Sequence, residues 1–323
     1  MKLKITIKLI LFGFLLMSCG DDDESNEIPI PTEPIVYVAG VTTSSGSHGI
    51  AKIWKDGAEI ILTDGGQNAR AEAIYVNGDD VYVAGYEDNI AKIWKNGVAT
   101  NLTDGTKNAE ANSVFVKGND VYAAGKEGSF AKVWKNGVAT NLTDGTTSAR
   151  ANSVFVKGND VYAAGSEFNG NHFIAKVWKN GIATNLTDGV TKVTAFSVFV
   201  KDNDVYVVGI EFLEGFKKVA KIWKNEVATN LTDGTTSARA LSVFVNGNDV
   251  YVAGDENNVA KIWKNGVATN LTNGTDAYSV FVLNDDVYVA GNEGDIAKVW
   301  KNGEEISLTD GIENAKANSV FVK

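Results

Sequence analysis

The stretch whose reading decides the fold is AKIWKNGVATNLTDG, Ala91 to Gly105. It returns with small changes along the whole chain. All seven tryptophans belong to copies of it: Trp54, Trp94, Trp134, Trp178, Trp223, Trp263 and Trp300, spaced 40, 40, 44, 45, 40 and 37 residues apart. Before each Trp stands a run like VYVAG (Tyr37, Tyr82, Tyr122, Tyr162, Tyr206, Tyr251, Tyr288), and one linker after it a run like SVFV (Tyr75, Phe115, Phe155, Phe199, Phe244, Phe281, Phe321). Three motifs in seven copies each leave no remainder, and a period near 40 residues with strand-like content marks propeller blades.

The runs are short, rich in Val, Ile, Tyr, Phe and Trp, and separated by Gly, Asn and Asp, so they read as strands. Lys-Asn-Gly after most of the tryptophans predicts a tight hairpin, because Asn-Gly accepts positive φ at both positions of a type I′ turn. Gly-Asn-Asp between SVFV and VYVAG turns the preceding pair in the same way. One unit is therefore a four-stranded meander. The nine residues between NLT and SVFV, Asp104 to Asn112 for example, are enough to cross from the outer edge of one sheet to the inner strand of the next. The expected order from the centre outwards is SVFV, VYVAG, AKIWK, VATNLT.

The chain then enters the fold in a second strand at Val36 and leaves it after an inner one. Residues 319–322 are expected to pair with residues 36–40, completing the first blade and leaving no unpaired edge at the seam. The fold class expected is all-β: a seven-bladed β-propeller of four-stranded antiparallel blades over residues 36–323, each sheet buried by its neighbours in the ring.

Residues 1–18 carry Lys2, Lys4 and Lys8 and then the apolar run Leu9 to Met17, the pattern of a secretory signal and too short for a spanning helix. The run ends in Leu16-Met17-Ser18-Cys19, which resembles the lipobox of bacterial lipoproteins. The resemblance implies cleavage after Ser18 and lipid on Cys19, the sole cysteine, and with it a membrane partner. Asp21-Asp22-Asp23-Glu24 resembles the export signal of surface lipoproteins in the Bacteroidota, and reads equally as a solvated acidic linker. Gly20 in place of Asp after the Cys, by the same resemblance, argues against retention at the inner membrane. Residues 19–35 hold all three prolines and read as a disordered tether. Losing the leader's three lysines takes the net charge from -10 to -13. No basic footprint for nucleic acid is present.

In such a meander, the second-to-third loops share one face with the blade crossovers, and there the copies diverge. These loops span five residues in four blades but ten in the first (Val41 to Ile50), nine in the fourth (Ser166 to Ile174) and ten in the fifth (Ile210 to Val219). Variable loops on a rigid scaffold are where recognition concentrates. The fourth and fifth carry Phe168, His172, Phe173, Phe212, Phe216, Lys217 and Lys218, and the crossover between them Lys192 and Phe196. This aromatic and basic cluster is the candidate ligand-binding site; mutual packing of the phenylalanines is the alternative reading.

Rings of like residues recur around the chain. Glu87, Glu127, Glu167, Glu211, Glu256 and Glu293, or Asp64, Asp104, Asp144, Asp188, Asp233 and Asp310, could hold cations. Each Glu, however, faces a lysine across its hairpin, and Asp-Gly is a turn dipeptide, so both rings read as structural. One Trp per blade could be a sugar platform, or a plug in the gap to the next blade with its flanking lysines reaching solvent; the plug is the expected use.

Catalysis finds little support. The two histidines, His48 and His172, fall in different loops, and a paired-carboxylate hydrolase would want acids beside the channel, where the inner strands read Ser-Val-Phe-Val. ANSVFVKGNDVYAAG occurs twice unchanged, from Ala111 and from Ala151. No catalytic residue, metal or cofactor is assigned, and a monomer is expected.

Residues 36–323 resemble the bacterial secreted or lipid-anchored propeller proteins built from WKNG and VYVAG repeats. The resemblance implies the architecture and is nearly silent on activity. The leading expectation is a lipid-anchored binding or scaffold protein of the outer membrane, on the cell surface or its periplasmic side, using the variable-loop face for a protein or glycan. A glycan-binding lectin and a polysaccharide-acting hydrolase or lyase are the alternatives.

Overall fold

In the computed structural model, the described residues are 33–44 and 48–323, apart from the side chain of Phe216. The leader, Cys19 and the tether through residue 32 lie outside them. The strands form seven four-stranded antiparallel sheets, each a meander in chain order from the inside out; only the first blade draws on both ends of the chain. The second blade, for example, runs Ala69–Asn77, Asp80–Glu87, Ile90–Lys95 and Val98–Asn101. The order predicted from loop lengths is the order found.

The inner strand of the first blade is Asn314–Val322, antiparallel to Val36–Thr43, with Phe321 opposite Tyr37. Asp56 stands in for the usual turn asparagine and accepts the Val36 N–H at 2.8 Å. The seam is packed like the other blade junctions. Val38 and Trp54 meet Tyr288, Ala290, Ala297 and Val299 of the seventh blade in one apolar cluster, as Val83 and Trp94 meet Tyr37, Ala39, Ala51 and Ile53 at the next junction.

Every Trp is at most 1 % exposed. Each closes the gap to the preceding blade rather than the next one, so the plug is confirmed and its direction corrected: Trp223, on the fifth blade, packs among Tyr162, Ala164, Ala175 and Val177 of the fourth. The third strand turns its Trp side back across the junction, and the small alanines of the facing sheet make room for the indole. Truncating one such ring to alanine would cost about 3–5 kcal/mol.

The inner strands are longer than the SVFV motif. They span nine residues in most blades, Ala109–Lys117 and Ala149–Lys157 for example. The crossovers are correspondingly shorter than nine. Each inner strand is broken by a one-residue bulge, with Ala111 opposite Gly125 and Ser113 opposite Ala124, so that Asn112 is left without a partner. This explains the glycine of VYVAG: a Cβ on Gly125 would lie 1.9 Å from the carbonyl oxygen of Glu110. The bulge pushes that carbonyl over the second strand, and only glycine leaves space for it.

Serine in SVFV has its own use. The inner strand has a free edge toward the channel, and its N–H groups need acceptors. Ser113 Oγ accepts the Val154 N–H of the next blade at 3.1 Å, and Ser153, Ser197, Ser242, Ser279 and Ser319 repeat the bond at 3.2 Å. Below them the aromatic residues close a ring of their own. Tyr75, Phe115, Phe155, Phe199, Phe244, Phe281 and Phe321 touch in sequence with centroids 4.7–5.0 Å apart, and the last meets the first.

Candidate functional site

The face of the KNG and GND turns is a repeated structural network. Asn96 donates through Nδ2 to Asp80 at 2.8 Å and accepts the Val81 N–H at 2.8 Å, while Lys95 sits 2.8 Å from the same aspartate. The lysine and asparagine bonds hold the Asp80 carboxyl below its usual range. The same set recurs at Asp120, Asp160, Asp204, Asp249 and Asp286. Those residues are committed to joining two hairpins.

On the opposite face, the second-to-third loops and the crossovers meet, as the Gly128 N–H donating to Asn108 O at 2.8 Å shows. The Glu ring here is held by lysines: Glu87 to Lys92 at 2.6 Å, Glu211 to Lys221 at 2.6 Å and Glu256 to Lys261 at 2.8 Å, with Glu127 and Lys132 paired likewise. Asp104, Asp144 and Asp233 each accept the N–H two residues on at 2.9 Å, closing turns.

The long loops of the fourth and fifth blades are extended hairpins. Strand pairing continues to Phe168 opposite Phe173 and to Phe212 opposite Lys218. Phe168 and Phe173 lie 5.4 Å apart at 56°, so part of the aromatic content does serve mutual packing. Phe196 belongs to the inner strand Val193–Lys201 rather than to the crossover, and occupies its bulge, between Ala195 and Ser197.

Four of the nine residues singled out from the sequence converge. Phe173, Lys192, Phe196 and Phe212 line one depression of about 320 Å³, together with Lys126, Arg150, Asn152, Ser166 and Thr194. The Lys192 ammonium stands 4.2 Å above the Phe212 ring and 6.0 Å from Phe173. Lys218 approaches Phe212 from another side, at 5.7 Å. His172 is exposed at the turn, its N–H on Asn169 Oδ1 at 2.7 Å, and Lys217 is exposed with its carbonyl accepting the Leu213 N–H. Neither lines the depression. The Phe216 side chain lies outside the described residues.

The expectation that the inner strands bring no acid to the channel is overturned. Because they begin three to five residues before the SVFV serine or its equivalent, they carry Arg70, Glu72, Glu110, Arg150, Arg239, Asp276 and Lys316 to its crossover end. The alternation of alanine with polar residues ahead of SVFV, as in ARAEAIYV and AEANSVFV, was the signal for it. Each acid has a cation beside it. Glu110 takes Lys126 at 3.2 Å and Arg150 at 3.1 Å, Glu72 takes Arg70 at 3.2 Å, and Arg239 bonds Asp255 at 2.6 Å and also Asp276. Burial pushes the Asp255 carboxyl up to about 6 against the pull of Arg239, and burial likewise raises Glu72.

No family model and no curated protein sequence matches the chain. Among solved structures, it is similar to a puromycin-hydrolysing peptidase of Mycobacterium tuberculosis, at 12 % identity and a TM-score of 0.54 over 84 % of this chain; it spans about half, 53 %, of that protein's length. Weaker likenesses are to a chain of a nidogen/laminin complex (9 % identity, TM-score 0.48, 89 % of this chain and 98 % of that one) and to TolB of Acinetobacter baumannii (13 %, 0.48, 72 % and 63 %). At these identities the likeness is one of fold alone: this chain is a seven-bladed β-propeller.

Proposed function

We propose that this protein is a binding propeller whose ligand, a protein or a glycan, sits in the depression shared by the third, fourth and fifth blades. The observation that carries the reading is the convergence of Phe173, Lys192, Phe196 and Phe212 on one concavity, while the turn face is filled by repeated structural bonds. In the same proposal Cys19 carries lipid and tethers a monomeric ring to the outer membrane, facing the cell surface. Support for that part is the sequence alone: leader, lipobox-like LMSC and proline-containing tether. Capture experiments with the full chain against a Phe196→Ala/Phe212→Ala variant test the site. Partners lost by the variant support it; unchanged capture refutes it. Metabolic labelling with an alkyne fatty acid tests the anchor, since Cys19→Ala must abolish the label.

A lectin reading has its own observation. Clefts recur at equivalent positions between blades, about 230 Å³ where Tyr122, Lys135 and Asn180 meet and about 190 Å³ where Tyr162, Lys179 and Asn225 meet. Glycan-array binding that Tyr122→Ala weakens and Phe212→Ala does not would favour these clefts over the depression.

A further inference from the structure

The depression holds more positive charge than its own acid neutralises. Lys126, Arg150 and Lys192 line it. Glu110 pairs with the first two, at 3.2 and 3.1 Å. Among the described residues, no carboxylate lies within ion-pair distance of Lys192, whose ammonium is held against the Phe212 ring at 4.2 Å. Three cations thus stand against one anion, on a chain whose net charge is -10. A concavity of reversed sign with apolar walls concentrates the potential felt by an anion.

The rest of the lining narrows the class of anion. Phe173, Phe196 and Phe212 supply apolar ring surface, and Ser148, Ser166 and Thr194 are side chains bearing hydroxyls beside it. A volume of about 320 Å³ is at the small-molecule end of binding sites. We propose, resting on the binding reading above, that the depression takes a uronate unit of an acidic polysaccharide. The sugar's apolar face lies on the phenylalanines, its hydroxyls on the Ser and Thr groups, and its carboxylate on Lys192 and Arg150. Glu110 then competes with the ligand for Arg150 and Lys126 as a built-in counter-ion.

That last point makes the inference sharp, because removing an acid must strengthen binding. The test is biolayer interferometry of the purified full-length protein on polygalacturonate, alginate and hyaluronan, with methyl-esterified polygalacturonate and polyglutamate as controls. Expected are binding to at least one acidic polysaccharide, none to the ester, a weakening of about fivefold in Lys192→Ala and a tightening of about threefold in Glu110→Gln. Equal binding of free acid and ester that is lost in Phe196→Ala would leave the binding reading standing and overturn the charge assignment. Polyglutamate bound as tightly as the polysaccharides would overturn the sugar. No binding to any of these probes would overturn the inference as a whole, with the capture experiment still deciding the binding reading by itself.

Discussion

Tyr37 and Phe321, drawn from opposite ends of the propeller, are register partners in one sheet, and the Phe321 ring touches Tyr75 at 4.9 Å and Phe281 at 4.7 Å. The ring of blades is therefore shut by a strand pair that resembles every other inner pair. Val320 at the seam and Val154 in the fourth blade are equally buried, at 4 % exposure. Val320→Ala and Val154→Ala are expected to cost the same, about 2 kcal/mol each. Urea unfolding of the two variants checks it, and a seam substitution costing less than half as much as its counterpart would mean the closure is looser than its geometry.

Glu226 occupies the glycine place of the fifth blade's outer hairpin at φ 71°, following Asn225 at φ 49°. A side chain in the left-handed region strains the backbone by about 1 kcal/mol. Glu226→Gly should recover that amount. Thermal unfolding would rise by a few degrees; a fall would show that the carboxylate has a stabilising contact of its own.

Gly165 has no positive φ to excuse it, yet a Cβ there would sit 2.0 Å from the Arg150 carbonyl oxygen. Gly165→Ala must flatten the bulge or break the register, at a cost expected to exceed about 3 kcal/mol. Since the bulge also seats Arg150 and Asn152, ligand binding should fall even in whatever fraction folds. Wild-type stability in denaturant would refute the steric account.

Asp255 is raised by burial from 3.8 to about 6. The folded state therefore holds the proton more tightly than the unfolded chain. Its contribution to stability is full below about pH 3.8 and is lost as the pH climbs through about 6, a total of roughly 3 kcal/mol. Measured against Asp255→Asn, which does not titrate, the wild type should lose relative stability between about pH 4 and pH 7. A constant difference across that range would contradict the burial argument.

Blade number, strand order and closure were legible because they rest on counting: seven Trp, seven VYVAG, seven SVFV, and linkers of two lengths. The mouth of the channel was misread because a bulge puts the residues on either side of it out of step. Asn112, left unpaired, interrupts the alternation of Glu110 and Ala111 with Ser113 and Val114, so the inner strand looks as if it starts at the serine. The direction of each Trp was hidden for another reason. A residue that alternates correctly in its own strand carries no mark of which neighbouring sheet it faces. The depression was half legible. Phe173 and Phe212 announced themselves as irregularities in long hairpins, whereas Lys126 and Arg150 sit in strands that otherwise repeat those of the other blades.

Lys192 and Phe212 of the fifth blade have no counterparts in the first, second, third, sixth or seventh, although the backbone beneath them repeats seven times. A ligand that depends on Lys192, Phe196 and Phe212 thus finds one berth per molecule, and calorimetry should return a stoichiometry of one. Multivalent capture of a polymer would have to come from many copies crowded side by side, not from the sevenfold symmetry of any single one.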